Sequence, residues 1–170
     1  MTLYKDGQFI EDSWRLVPEG EDVPPSGHVI LPLDWWTAER EAFEGSNVPL
    51  GLCIEPGTRI EDFAADISRF SVIALVFPKF QDGRAYSTAK LLRERYGYTG
   101  ELRAVGDVLI DQIQIMARCG FDAFEISDPA TERALRAGKI PGVFHFYQPG
   151  IGAEVPAGRS WTRSPSKVAQ

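Results

Sequence analysis

Charged side chains stand just beyond, or near the ends of, four apolar runs in this sequence. Glu55 follows residues 50–54, Lys79, Asp82 and Arg84 follow residues 72–77, Arg103 and Asp107 lie near and beyond the end of residues 102–105, and Glu125 lies near the end of residues 123–126. If the runs are parallel strands, these residues gather at the carboxyl edge, where loops diverge and ligands bind in open sheets and barrels alike. Lys79, Arg84 and Arg103 would then hold an anion, because arginine forks match a planar carboxylate, sulfate or phosphate. A helix starting near Arg84 would add backbone donors. Glu55, Asp82, Asp107 and Glu125 would position those bases or take protons.

A plainer reading fits the same residues. Asp82-Gly83 is an ordinary turn dipeptide, Asp107 an ordinary helix cap, and Arg84 and Arg103 would pair with carboxylates to tie loops together. Alternation along the third strand would equally allow Arg103 to face solvent.

The spacings that define known chemistry are absent. There is no GxGxxG after a strand, no GxxxxGK[ST] and no GxSxG. His28 and His145 fall outside the four apolar runs, and His145, within Phe144-His-Phe-Tyr147, reads as a packed aromatic neighbour. Cys53 and Cys119 are far apart with no CxxC, which leaves too few ligands for a zinc site or an iron–sulfur cluster. Both read as buried, inert thiols. No metal is expected, no cofactor is evident, flavin and nicotinamide remain open, and turnover is left undecided.

Such residues need elements to hold them. From residue 50 the hydrophobic period switches repeatedly between two and 3.6, the sign of strands alternating with helices. The expected strands cover residues 50–54, 72–77, 102–105 and 123–126. The intervening helices start from a Thr58 to Glu61 capping box, from Arg84, from Asp107 and from an Asp128 cap followed by Pro129. Four consecutive βα units predict an α/β fold with a mostly parallel, open sheet; half of a βα barrel, which would favour a homodimer, is the alternative. Residues 1–48 read as an N-terminal annex with a hairpin at Asp6-Gly7, a short strand from His28 and a helix capped by Asp34 that carries Trp35 and Trp36. Residues 49–147 form the core domain, and residues 148–170 an irregular tail or arm.

With 170 residues, 44% of them hydrophobic, the chain is long enough to bury a core. A net charge of -6 gives the whole surface no attraction for nucleic acid or an anionic membrane. The start lacks an apolar leader and no segment is long enough to span a bilayer, so a cytoplasmic protein is expected.

Residues 77–126 read FPKFQDGRAYSTAKLLRERYGYTGELRAVGDVLIDQIQIMARCGFDAFEI. This stretch closely resembles the bacterial family known as domain of unknown function 934, whose hallmarks are F-x-K-F-x-D-G-R-x-Y-S, G-E-L-R-A-x-G-D-V, D-Q and R-C-G-F-D-A-F-E. The resemblance adds Tyr86 and Ser87 to the supporting residues as motif positions, without assigning any catalyst. It implies a link to assimilatory sulfite reduction. The resulting expectation is an accessory protein that binds the sulfite reductase haemoprotein or another sulfur-assimilation enzyme, with an oxyanion site at the strand edge. A flavin- or nicotinamide-dependent oxidoreductase and a small-anion sensor are the alternatives.

Overall fold

The computed structural model describes residues 2–24, 26–44, 48–142 and 150–151. Eight strands form one sheet: β1 (Thr2–Lys5), β2 (Gln8–Ile10), β3 (Trp14–Leu16), β4 (His28–Pro32), β5 (Leu50–Ile54), β6 (Phe70–Phe77), β7 (Glu101–Gly106) and β8 (Ala123–Ile126). Their spatial order is β2-β1-β8-β7-β6-β5-β4-β3. Neighbours from β3 through β8 run parallel, whereas β1 is antiparallel to both β8 and β2. The chain is therefore α/β with a mostly parallel sheet.

One connection dictates the shape of that sheet. β2 and β3 are its opposite edges, yet only residues 11–13 separate them. Four Cα steps reach at most about 14 Å, whereas seven strand spacings in a flat sheet would put the edges roughly 34 Å apart. The sheet must curl strongly, and it forms a half-barrel rather than a flatter open sheet.

Five helices, α1 (Leu33–Ala38), α2 (Arg40–Glu44), α3 (Arg84–Glu94), α4 (Ile113–Arg118) and α5 (Pro129–Arg136), accompany the strands. The convex face buries Leu52, Ile73, Leu75, Phe77, Leu102 and Ile126 in one core with Ala89 and Leu92 of α3, Met116 of α4 and Leu135 of α5. The concave face carries a smaller cluster of Ile30, Val72 and Ala74. Because both faces of β6 are covered, its sequence FSVIALVF is almost continuously apolar rather than alternating.

Several local expectations change in the folded chain. Residues 1–48 contribute β1–β4 to the same sheet, including β3, which has too few residues to show a period. Their hairpin turns at Asp6 (φ 51°) and Gly7 (φ 81°), the left-handed pair that matches strand twist in a two-residue turn. α1 starts at Leu33 with Pro32 at its cap position, so Asp34 lies in its first turn. The segment after β5 forms two 3-10 stretches, Ile60–Asp62 and Ala64–Arg69, and its Thr58 hydroxyl donates to the Glu55 carbonyl at 2.8 Å instead of making a capping box. Ile60, Phe63 and Ile67 are still buried, with Phe63 at the junction between the two stretches. α4 begins only at Ile113, since the Gln112 side chain accepts from Leu109 N at 3.0 Å and Thr131 Oγ1 accepts from Ile110 N at 3.2 Å.

Two devices set the ends of β7. At its start, the Asp122 carboxylate accepts from Leu102 N at 2.8 Å and pairs with Arg93, which also donates to the Tyr98, Gly100 and Gly120 carbonyls. At its end, Gly106 has φ 96°, and a Cβ there would lie 2.5 Å from the Phe77 carbonyl oxygen. Among the described residues, no helix is long and apolar enough to cross a membrane. Gly106→Ala combines a left-handed conformation with a backbone clash, so it is expected to lower unfolding free energy by about 2 kcal/mol or more. Chemical denaturation measures this; an unchanged midpoint would show that the β7 end is not held as described.

Candidate functional site

Curling the sheet turns its concave face into a chamber. A cavity of about 310 Å³ lies there, with residues from β3 through β8 around it. Its floor is buried Ile30, Ala74 and Arg103, its walls are half-buried Trp14, Cys53, Val76, Val105 and Glu125, and its rim is exposed Asp12, Leu16, Glu55 and Gly106.

The pleat explains why those side chains meet. Arg103 and Val105 alternate with Leu102 and Ala104, and the in-register neighbours of Arg103 are Ala74 on β6 and Ala123 on β8. Two alanines beside it leave room for a guanidinium. Nearer β4, Gly51 leaves none: a Cβ there would lie 2.9 Å from Ile30 Cγ1 and 3.3 Å from the Trp14 ring. Trp14 in turn stacks on His28 with ring centres 4.9 Å apart.

Arg103 is 1% exposed, so its charge needs partners. Its Nη1 donates to Asp12 Oδ2 at 2.6 Å and its Nε to Glu101 Oε1 at 3.0 Å. Nη2 lies 2.9 Å from the same Glu101 oxygen, close enough for charge attraction, but makes no hydrogen bond. One Glu101 oxygen thus sits across two donors and satisfies only Nε in line, which leaves the enclosed Nη2 with unused donor capacity beside Glu101. The other Glu101 oxygen accepts from Lys5 Nζ at 2.8 Å.

The charges do not sum to zero. Among the described residues, Arg103 and Lys5 pair with Glu101 and Asp12, while Glu55 and Glu125 make no ion pair, although Arg103 and the N-terminal ammonium both attract the Glu125 carboxylate. Burial raises the Glu125 carboxyl above the ordinary range, against the lowering pull of Arg103 and with a further push from Asp12. Burial likewise raises the Cys53 thiol to about 12, helped by Glu55 and Glu125. Cys53 is consequently a neutral wall at physiological pH, not a nucleophile.

The remaining residues expected at the strand edge lie on the outer loops. Arg84 is held by Asp82 through Nε at 2.9 Å and Nη2 at 2.6 Å, with its side chain 61% exposed. That pairing lowers the Asp82 carboxyl to about 2. Asp107 accepts from Phe80 N at 2.8 Å, and Gln112 donates to the Phe80 carbonyl at 3.3 Å, so these two residues bind the loop after β6 to the loop after β7. Tyr86 packs its ring on Phe77 at 5.2 Å, and Lys79 and Ser87 are exposed.

The fold therefore brings Arg103, Glu55 and Glu125 together, but Arg84 and Arg103 share no partner and Lys79 does not line the chamber. His145 and most of residues 148–170 lie outside the described residues. Asp12, Trp14, Lys5 and Glu101 are additions to the expected site. Glu101-Leu-Arg103 was a readable signal, since residues two apart share a strand face; Asp12 is 91 residues from Arg103 and had none. A second hollow, about 490 Å³ near the opposite strand ends and bordered by Ala64, Phe70, Tyr96 and Gly100, has no charged side chain in its lining.

Arg103→Met removes the cation of Asp12, leaves Glu101 with Lys5 alone, and is expected to cost about 3 kcal/mol or more. Adding Glu101→Gln should cost less than the sum of the two changes; additivity in denaturant titrations would show that the pair does not interact. For Glu125, the folded chain holds its proton more tightly than the unfolded chain, so this group reduces stability as pH rises through the window between its two values. Glu125→Gln is expected to raise the melting temperature at pH 7, with the gain vanishing as pH falls below the ordinary glutamate range. A gain independent of pH would refute that assignment.

A family model described as "Bacterial protein of unknown function (DUF934)" matches residues 51–158. The span includes Cys53, Glu55, Arg103 and Glu125 of the chamber but not Asp12 or Trp14. No curated protein matches the chain.

Proposed function

The chain belongs to the bacterial DUF934 family, and we propose that it is a small-molecule-binding accessory protein whose site is the chamber inside the curled sheet. The observation that carries this reading is the cavity of about 310 Å³ itself, whose largely apolar wall carries the half-buried Glu125 carboxyl and ends on the buried Arg103. Apolar walls with a few converging polar groups are the usual composition of a small-molecule site.

The setting we propose is the one implied by the motif in residues 77–126, assimilatory sulfite reduction in the cytoplasm. There the protein would meet the sulfite reductase haemoprotein or another sulfur-assimilation enzyme. The loop after β6 with Asp82 and the exposed Phe80, the start of α3 at Arg84 and the loop after β7 with Asp107, tied together by their pairings, then form a rigid outer surface next to the chamber mouth. Such a surface suits contact with a protein better than capture of a free oxyanion, because Arg84 already holds a carboxylate in a bidentate pair.

Protein tagged and recovered from sulfate-grown cells tests both parts. The expected result is enrichment of a sulfur-assimilation enzyme, together with a bound small molecule visible by native mass spectrometry. Val76→Phe, which narrows the chamber from its wall, should lose the small molecule. Recovery without any such enzyme would remove the proposed setting, and a small molecule retained by the variant would move the site elsewhere.

A further inference from the structure

The chamber's charges restrict what it can take. Arg103 already holds Glu101 and Asp12, so an anion placed at its end of the chamber would stand beside two carboxylates and face Glu125 on the neighbouring strand. In a recess with a buried floor, such like-charge approaches are poorly screened. A neutral acceptor, such as a carbonyl, ether or ring nitrogen, can lie at the Arg103 end of the chamber without that repulsion.

The two acidic groups lead in the same direction. Glu125 is a half-buried wall residue and Glu55 an exposed rim residue, and both reach the same cavity. Either would be stabilised by an incoming positive charge. Between these polar groups, Trp14, Leu16, Ile30, Val76 and Val105 offer hydrocarbon and aromatic surface. A volume of about 310 Å³ suits one small metabolite, being at the lower end of the roughly 300 to 1,000 Å³ common for ligand pockets.

We infer that the chamber binds a small amphipathic amine carrying a neutral hydrogen-bond acceptor, and that it selects against oxyanions. The ammonium meets Glu125, the neutral acceptor lies at the Arg103 end of the chamber, and the apolar body lies along Trp14 and Val76. This inference rests on the reading of the chamber as a ligand site.

Four probes separate the class of ligand from the existence of the site. Phenylalaninamide supplies an ammonium and an amide, 3-phenylpropanamide the amide alone, 3-phenylpropanoate a carboxylate on the same body, and sulfite a bare oxyanion. Each is titrated at pH 6.5, below the α-amine's titration range so that phenylalaninamide is an ammonium, into the isotope-labelled full chain while nuclear magnetic resonance follows the Trp14 indole N–H and the β7 and β8 amides. Phenylalaninamide is expected to shift these signals saturably, about tenfold more tightly than 3-phenylpropanamide, with no saturation by 3-phenylpropanoate or sulfite. Glu125→Gln should bring phenylalaninamide down to the affinity of the neutral amide while leaving the latter unchanged. Saturation by the carboxylate or sulfite with none by the amine would overturn the ligand class and leave the site standing. Equal affinity of amine and neutral amide, unaffected by Glu125→Gln, would also overturn it. If none of the four shifts the chamber signals, the site and the inference fall together.

Discussion

Three residues, Glu11, Asp12 and Ser13, join the two edge strands of an eight-stranded sheet. A chain that short cannot cross a flat sheet, so the strands must wrap until their edges come within its reach. The middle residue of the link also fastens it: Asp12 accepts from Arg103 on β7, several strands away in sheet order, at 2.6 Å. The same few atoms therefore impose the curl and anchor it to the interior. Without the curl there is a convex core with helices but no chamber.

Burying a guanidinium inside the curl has consequences for everything around it. Its neighbours in register are alanines, which provide space, and its partners are carboxylates from the strand edge and from the linker. Geometry lets Glu101 serve Nε in line while it only attracts Nη2, and Glu125 on the neighbouring β8 and Glu55 beyond β5 line the same cavity. A well-packed apolar interior would be the more stable solution for a scaffold, since buried ion pairs often give less than hydrophobic replacements of equal volume.

The outer loops answer to a different requirement. Asp82 clamps Arg84 next to the start of α3, while Asp107 and Gln112 fasten the Phe80 backbone, so the motif-rich stretch forms a stiff platform by its own pairings. These polar residues satisfy each other outside the chamber. Charged residues at the ends of the same strands thus divide into loop fasteners, Asp82, Arg84 and Asp107, and chamber residues, Glu55, Arg103 and Glu125.

Much of the local order was legible in the sequence. Apolar runs around residues 50–54, 72–77, 102–105 and 123–126 marked strands because buried strands lack polar interruptions, and Asp6-Gly7 marked a turn because both residues adopt left-handed backbone easily. The strand-edge rule likewise reached Glu55, Arg103 and Glu125. It could not separate them from Lys79 and Arg84, because alternation tells which residues share a face but not which face becomes the inside. β3 was invisible at three residues long, and the pairing of Asp12 with Arg103 left no periodic trace across 91 positions. By itself the sequence determined the strands, the turn chemistry and the family resemblance, all of which depend on near neighbours. The curl, the chamber and the surplus of negative charge within it were decided only by tertiary structure, because each depends on distances between residues remote along the chain.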